Sequence, residues 1–259
     1  MGERTDDLQG RIIWLTGASG GLGPGIAHVL AEHGTRLALH ARQRSEAIDS
    51  LVSSLQDQGY PCMATYGDLT EPTACREAVA AIHDRYGAPY ALVHAAGSLT
   101  FGPIAEQTLR DLEINLHGNL TSLFCASQAV LPMMRDIEEG RIITFGMTGG
   151  ATTQPMRQLG LHLAAKAGVT AIARTLAIEE APHGIRVNVV APGHIPHKTI
   201  PREQARTMPA DPSHPLGVHG SYEDVAEAVL FLLQPSSDYI TGAVLDVNGG
   251  WRDDDLQVR

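Results

Sequence analysis

The sequence predicts an α/β fold built on a doubly wound sheet of seven parallel strands, with helices on both faces. Short apolar runs rich in β-branched residues alternate with longer segments of helical periodicity, which is the pattern of repeated βαβ units. The chain has 259 residues, 43% of them hydrophobic, which is enough to bury one large core. Because no linker-like segment interrupts the first two hundred residues, residues 1–259 are expected to form a single domain.

The predicted elements follow one another in regular order. Strands are expected at 11–17, 35–41, 62–68, 91–97, 141–147, 186–192 and 243–249. Helices are expected at 23–33, 45–58, 72–86, 105–134, 157–181 and 222–234. The segment 193–220 departs from this pattern, because its many Pro, His and Gly residues prevent a long helix. Since ligands bind beyond the carboxyl ends of such strands, this segment is predicted to cover the substrate, and an ordinary surface loop is the alternative.

Composition narrows the classes of function. The formal charge is −10 and Lys and Arg are not clustered, which argues against nucleic-acid binding and favours a small-molecule substrate. The polar N-terminus and the lack of a run of about eighteen apolar residues predict a cytoplasmic protein that does not bind membranes. The three cysteines and twelve histidines show no metal-ligand spacing, so no metal site is expected.

A glycine-rich turn follows the first predicted strand. In TGASGGLG (16–23), Gly17, Gly21 and Gly23 stand between that strand and an amphipathic helix. Glycine lets the chain turn sharply and lets the backbone approach a pyrophosphate held at the helix N-terminus. This context favours a dinucleotide-binding Rossmann fold over a purely structural turn.

The end of the second predicted strand indicates which dinucleotide binds. An acidic residue there would hold the ribose of NAD, whereas an arginine suits the 2′-phosphate of NADP. In LALHARQRSE no acidic residue occurs before Glu46, and Arg42 and Arg44 flank the position. NADP(H) is therefore predicted in preference to NAD(H), with Arg42 as the main phosphate contact. Two solvated arginines at a helix start are the alternative.

Ordered motifs along nearly the whole chain resemble the short-chain dehydrogenase/reductase superfamily, in the compact form that includes the 3-oxoacyl-carrier-protein reductases. The motifs are TGASGGLG (16–23), GDL (67–69), HAAG (94–97) in place of the family's N-N-A-G, NLTSLF (119–124), GRIITFG (140–146), AAKAG (164–168), IRVNVVAPG (185–193) and YITGAVLDVNGG (239–250). The resemblance implies cofactor contacts at Gly17, Ser19, Gly21, Leu22, Gly23, Asp68, Leu69, Ala95, Ala96, Gly97, Lys166, Pro192 and Gly193. In the family, the residue matching Asp68 holds the adenine and the pair matching Pro192 and Gly193 packs near the nicotinamide.

The resemblance also implies four catalytic parts: Asn, Ser, Tyr and Lys. In the family, Tyr protonates the carbonyl oxygen as hydride arrives, Ser hydrogen-bonds that oxygen, Lys binds the nicotinamide ribose, and Asn supports a water relay. Lys166 in AAKAG matches the lysine, with a snorkelling surface lysine as the alternative. Asn115 and Asn119 compete for the asparagine position, and the motif NLTSLF favours Asn119.

The other two parts differ from the family. Counted from GRIITFG, the serine position falls on Met147, whose thioether cannot donate a hydrogen bond, and the adjacent Thr148 is the candidate replacement. His162 stands four residues before Lys166, where the family has tyrosine, and shares a helix face with that lysine. The nearby ammonium should lower the pKa of His162, so the ring is expected to be mostly neutral and a poor acid at neutral pH.

Three functions are compatible with this combination of retained and replaced residues. The first is an NADP(H)-dependent oxidoreductase that acts on a small carbonyl-type substrate, with protonation by His162 or solvent. The second is a catalytically inactive NADP(H)-binding sensor or scaffold, and a third, dehydration or cyclisation with His162 as base, rests on the lone imidazole. The resemblance favours the first, and it implies a homotetramer in which the helices at 105–134 and 157–181 pair between subunits.

Overall fold

A sheet of seven parallel strands forms the centre of the molecule. The computed structural model describes residues 8–149, 155–195, 198–210 and 215–250. The strands pair in the order β3-β2-β1-β4-β5-β6-β7. Their bounds are β1 Ile12–Thr16, β2 Arg36–Ala41, β3 Cys62–Tyr66, β4 Ala91–His94, β5 Gly140–Phe145, β6 Ile185–Pro192 and β7 Val244–Val247. The predicted fold class is confirmed, and the strand order reverses between β1 and β4, where such sheets bind ligands.

Helices cover both faces of the sheet. They are α1 Gly23–Glu32, α2 Glu46–Asp57, α3 Pro72–Tyr86, α4 Leu109–Asn115, α5 Ser122–Asp136, α6 Gly160–Glu180, α7 Arg202–Thr207 and α8 Tyr222–Leu233. Successive strand residues point to opposite faces, so Ile13 and Leu15 pack with α1, α2 and α8, whereas Trp14 packs with α3, α5 and α6. Each face of the sheet therefore has its own hydrophobic core.

The prediction of one helix at 105–134 is wrong, because the structure divides this stretch into several elements. A 3-10 turn covers Ile104–Glu106, and α4 begins only after Thr108, which forms a capping box with Asp111. A π-helical turn, Leu116–Thr121, then joins α4 to α5. Polar side chains in and after this turn bond to carbonyl oxygens that a regular helix would pair with backbone N–H groups, which favours the wider turn.

The predicted helix at 157–181 begins later than expected, at Gly160. Gln158 has a φ of 62°, outside the helical range. Its carbonyl oxygen accepts a hydrogen bond of 3.0 Å from the backbone N–H of Gly102. The start of α6 is therefore anchored to the loop that follows β4.

The segment 193–220 contains only the short helix α7 among its described residues, in line with its composition. Arg202 and Arg206 each pair with Asp224, at 2.9 and 3.0 Å, which fastens this helix to the first turn of α8. Positions 196–197 and 211–214 of the segment lie outside the described residues.

One stretch, Gly160–His183, is long and apolar enough to cross a membrane by length and composition alone. Most of it is α6, which packs buried side chains, including Ala173 and Ala177, against the central sheet. Core helices of soluble proteins have the same length and composition. The cytoplasmic location therefore stays a prediction.

Candidate active site

Lys166 lies on the buried side of α6, beyond the carboxyl end of β5. Its side chain is 8% exposed overall, and Nζ donates a hydrogen bond of 2.8 Å to the carbonyl oxygen of Phe145. Burial lowers the pKa of Lys166 to about 8. A β-carbon at Gly97 would lie 3.6 Å from this Nζ and 2.8 Å from Oδ1 of Asn119. The ammonium and the amide oxygen thus border the same glycine at the end of β4.

Asn119 is held in place by the π-helical turn. Its Nδ2 donates to the carbonyl oxygens of Ser98 and Asn115, at 2.7 and 2.8 Å. Its Oδ1 is buried and accepts no hydrogen bond from the described part of the chain. The competing Asn115 instead donates to Thr100 Oγ1 and to the backbone one turn earlier, at 2.7 and 2.9 Å. Oδ1 of Asn115 is likewise buried without a partner among the described residues, so it is the position of Asn119 at Gly97, next to Lys166 Nζ, that distinguishes the two asparagines.

His162 lies one helical turn before Lys166 and, like Asn119, contacts the loop that follows β4. Its Nδ1 is 3.2 Å from the carbonyl oxygen of Ser98. Burial, and next the charge of Lys166, lower the pKa of His162 to about 4, although the Ser98 carbonyl acts in the opposite direction and Lys198 adds to the lowering. The expectation of a mostly neutral ring agrees with this direction. The carbonyl of Ser98 thus connects Asn119 and His162.

Met147 and Thr148 follow β5 directly. Met147 is half-buried. Thr148 is 5% exposed, and its hydroxyl has no hydrogen-bond partner among the described residues. A buried hydroxyl without a partner is uncommon and is free to donate to a ligand. The residues that follow, 150–154, lie outside the described part of the chain.

The glycine-rich turn between β1 and α1 is closely packed. A β-carbon on Gly17, whose φ is 68°, would lie 2.7 Å from the backbone of Ala95 and Ala96. A β-carbon on Gly23 would lie 2.2 Å from the carbonyl oxygen of Gly17. Within the described chain, the backbone N–H groups of Ser19, Gly21 and Leu22 donate to no other backbone group. Free N–H groups at a helix N-terminus fit the pyrophosphate of a dinucleotide.

Charged residues lie at the ends of β2 and β3. Arg42 is exposed and forms an ion pair of 3.2 Å with Asp68, whereas Arg44 pairs with Asp49 at 2.9 Å. Burial acts to raise the pKa of Asp68, but hydrogen bonds from Thr70 and the charge of Arg42 outweigh it and hold that pKa below its usual value. Arg42 is therefore positioned beside the predicted adenine contact, while the guanidinium of Arg44 is turned to α2.

The remaining predicted cofactor contacts lie along the same carboxyl edge of the sheet. Leu69 is 6% exposed and packs into the core beneath that edge. The N–H of Ala96 donates to Thr16 Oγ1 at 3.2 Å, and the N–H of Gly193, next to Pro192, donates to the Val247 carbonyl at 3.0 Å. Within the described ranges, no group of three or more His, Cys, Asp or Glu side chains could hold a metal ion.

A buried polar chain behind the site escaped the sequence analysis. His94 Nδ1 is 3.1 Å from Thr16 Oγ1, and its Nε2 is 3.1 Å from Ser122 Oγ. Ser122 in turn donates to the carbonyl oxygen of Gly118 at 2.8 Å. These bonds connect β1 and β4 to the π-helical turn that carries Asn119. The sequence signal was the His of HAAG, at a position where the family has asparagine.

We expect His94 to make folding stability depend on pH. Burial, and next the charges of Lys166 and His40, lower the pKa of His94 to about 3. Between about pH 6.5 and that value only the unfolded chain binds the proton, so stability falls as the pH falls, by about 1.4 kcal/mol per pH unit. Urea unfolding of His94→Asn between pH 6 and 4 should show a slope that is smaller by about that amount.

The control for this experiment is His83→Asn, since His83 is exposed on α3. Because this side chain is exposed, the substitution should change the free energy of unfolding by less than about 0.5 kcal/mol at each pH. A slope in His94→Asn equal to the wild-type slope would mean that the buried ring does not resist protonation.

Comparison with known proteins places the chain in a family. Residues 17–252 match the model of a family described as enoyl-(acyl carrier protein) reductase. The 3-oxoacyl-[acyl-carrier-protein] reductase FabG of Vibrio cholerae serotype O1 is 36% identical over 247 residues, which cover 94% of this chain and 98% of that protein. The oxidoreductase UcpA of Salmonella typhimurium is 30% identical over 253 residues, which cover 94% and 95% of the two chains.

Solved structures agree with the sequence matches. A short-chain type dehydrogenase/reductase from Mycobacterium marinum superposes with a TM-score of 0.84 at 29% identity, covering 95% of this chain and 97% of the other. The matched residues include the glycine-rich turn between β1 and α1, the π-helical turn and α6. The chain belongs to the short-chain dehydrogenase/reductase family.

Proposed function

We propose that the protein is an NADP(H)-dependent oxidoreductase that acts on a small carbonyl-type substrate through an atypical active site. Members of its family are oxidoreductases that use a nicotinamide cofactor and act on small molecules. The observation that carries the proposal is the pair formed by the buried ammonium of Lys166 and the unpaired Oδ1 of Asn119 around Gly97. A buried charge with a single protein acceptor is costly, and a polar ligand would compensate that cost.

Each residue has a defined part in this proposal. Bound NADP(H) supplies or accepts the hydride. Lys166, protonated below its pKa of about 8, holds the nicotinamide ribose, and Asn119 Oδ1 accepts a hydrogen bond from the relay water. His162 takes the place of the tyrosine at the reacting oxygen. The family's serine position is occupied by Met147, which cannot donate. The unpartnered hydroxyl of Thr148, the next residue, donates to the reacting oxygen instead.

The preference for NADP(H) gives a testable difference between two neighbouring arginines. Arg42→Ala should weaken NADPH binding by about tenfold, because an exposed charge-assisted hydrogen bond to the 2′-phosphate is lost, and should leave NADH binding nearly unchanged. NADPH and NADH titrations, followed by the fluorescence of the reduced nicotinamide, measure both affinities.

Arg44→Ala is the matched control, because the Arg44 side chain is already bonded to Asp49. It should change NADPH affinity by less than about threefold. An equal loss of NADPH and NADH affinity in Arg42→Ala, or a larger loss in Arg44→Ala, would contradict the assignment of Arg42 to the 2′-phosphate.

A second candidate function is an inactive NADP(H)-binding sensor or scaffold of the same fold. Two observations favour it. Met147 has no hydrogen-bond donor, and the low pKa of His162 leaves little acid at neutral pH. It predicts tight NADP(H) binding with no hydride transfer to any carbonyl, imine or enone, and a single turnover signal that depends on Lys166 eliminates it.

We further propose that residues 1–259 form one domain, with 193–220 over the substrate, and that the protein is a cytoplasmic homotetramer. The exposed faces of α5 and α6 support the assembly. Phe124 is 48% exposed and Ile178 is 78% exposed, and a groove of about 440 Å³ lies between α3, α5 and α6. A helix face that combines exposed apolar side chains with a groove is suited to a second copy.

A further inference from the structure

The ring of His162 is fixed by a group that can only accept. The partner of Nδ1 is the backbone carbonyl oxygen of Ser98, at 3.2 Å. A carbonyl oxygen has lone pairs and no proton, so the proton in this hydrogen bond belongs to Nδ1. The same oxygen also accepts from Asn119 Nδ2 at 2.7 Å. The carbonyl is thus held in position by a second donor that does not depend on His162.

In a neutral imidazole, a proton on Nδ1 leaves a lone pair on Nε2. Nδ1 of His162 makes the hydrogen bond to Ser98. No described residue forms a hydrogen bond with Nε2 of this ring. Moving the proton to Nε2 would place two lone pairs opposite each other across the Ser98 contact. The loss of one buried hydrogen bond makes that tautomer about tenfold to a hundredfold less populated.

We propose that His162 presents a hydrogen-bond acceptor to the substrate and that the site therefore binds a secondary alcohol, through its O–H group, in preference to the matching ketone. This inference rests on the proposed function, in which His162 stands at the reacting oxygen. A tyrosine hydroxyl can rotate to donate or accept, whereas this ring is committed by its other nitrogen. The substitution therefore selects the hydroxyl form of the substrate.

The corresponding reaction is oxidation of the alcohol by NADP⁺. The O–H proton passes to Nε2 of His162, the carbinol C–H electron pair leaves with its hydrogen as hydride to the nicotinamide, and the C–O bond becomes double. The imidazolium then releases the proton to solvent, which returns the Nδ1–H tautomer. Lys166 on the same helix and Lys198 from the loop are the charged groups around the ring, and both favour this release.

Nitrogen NMR of the whole chain tests the tautomer directly. The protein is labelled with ¹⁵N-histidine, and long-range ¹H–¹⁵N correlations are assigned to His162 by their loss in His162→Asn. Asparagine places an amide donor near the Nδ1 position, and His162→Gln serves for assignment if that variant does not fold. From pH 8 to 5 the ring should carry one proton, on Nδ1, and a second proton should bind only as the pH falls towards about 4.

The preference for alcohol over ketone is measured as the change in the His162 ¹⁵N chemical shifts when cyclohexanol or cyclohexanone is added in the presence of NADP⁺. Cyclohexanol should shift the Nε2 resonance, and cyclohexanone should not. A proton on Nε2 at pH 7, or a shift with the ketone as large as that with the alcohol, or no shift with the alcohol, overturns the inference. NADPH titration of the same sample separates the two ideas: failure to bind overturns the proposed function, whereas an Nε2–H ring in a protein that binds NADPH overturns only this inference.

Discussion

Lys166→Met is expected to lower the rate of hydride transfer by about a hundredfold to a thousandfold while the folded protein stays as stable as the wild type or becomes more stable. Under the proposed function, the loss of rate follows from removing a buried charged donor that positions the reacting groups. The gain in stability follows from the lowered pKa of Lys166, which shows that burial disfavours the ammonium. Methionine keeps most of the aliphatic stem and leaves only the Phe145 carbonyl without its donor.

The chain offers a matched control, because Lys198 is its second and last lysine. Lys198 is exposed, so Lys198→Met should cost much less than Lys166→Met, below about tenfold in rate. The measurements are single-turnover oxidation or reduction of the cofactor and urea unfolding at pH 7. If Lys166→Met lost stability and activity together, the lysine would be a structural element and the proposed catalytic role would fail.

The fold was predictable because each strand carries its own signal. The predicted strands 35–41 and 186–192 are mostly apolar, as is typical of strands buried on both faces, and the observed Arg36–Ala41 and Ile185–Pro192 lie within one residue of them. The seven-stranded parallel sheet followed from their regular alternation with helices. The strand ends were less predictable, because the last residues of each run belong to the turns that carry the site.

The break in the helix predicted at 105–134 was not visible in the hydrophobic pattern. The apolar spacing continues through the break, and the π-helical turn depends on side-chain bonds from Asn119 and Ser122 to carbonyl oxygens one turn earlier. Such bonds depend on where the neighbouring loop places its own groups, which periodicity does not encode. The turn nevertheless carries the asparagine that the resemblance favoured.

The sequence predicted which residues form the candidate site, but not the protonation and hydrogen bonding of their side chains. The spacing of His162 and Lys166 predicts a shared face and a lowered pKa for the histidine, and the structure has both. The spacing could not show which ring nitrogen carries the proton, because that depends on the Ser98 carbonyl, 64 residues away in the chain. The sequence predicts a poor acid at His162, whereas the Ser98 contact is the basis for inferring that its Nε2 accepts a hydrogen bond and that the site prefers the hydroxyl form of the substrate.

Gly23→Ala is expected to reduce NADPH affinity by more than about a hundredfold and to lower the free energy of unfolding by about 1–3 kcal/mol. The added carbon would lie 2.2 Å from the Gly17 carbonyl oxygen and 2.8 Å from the α-carbon of Ala18. Both are backbone atoms, which cannot move aside as a side chain can, so the turn between β1 and α1 must open. Opening the turn would displace the N–H groups of Ser19 and Leu22, which donate to no other described backbone group and fit a pyrophosphate.

Gly20→Ala in the same turn separates this steric effect from a general intolerance of alanine. A β-carbon on Gly20 meets no atom within 4 Å, and its φ is not in the left-handed region. Stability should change by less than about 0.5 kcal/mol and NADPH affinity by less than about threefold. Fluorescence titration with NADPH and thermal unfolding measure both variants. Because the two glycines are three residues apart, equal losses in both variants would show that the close approach of Gly23 to Gly17 does not shape the cofactor cradle.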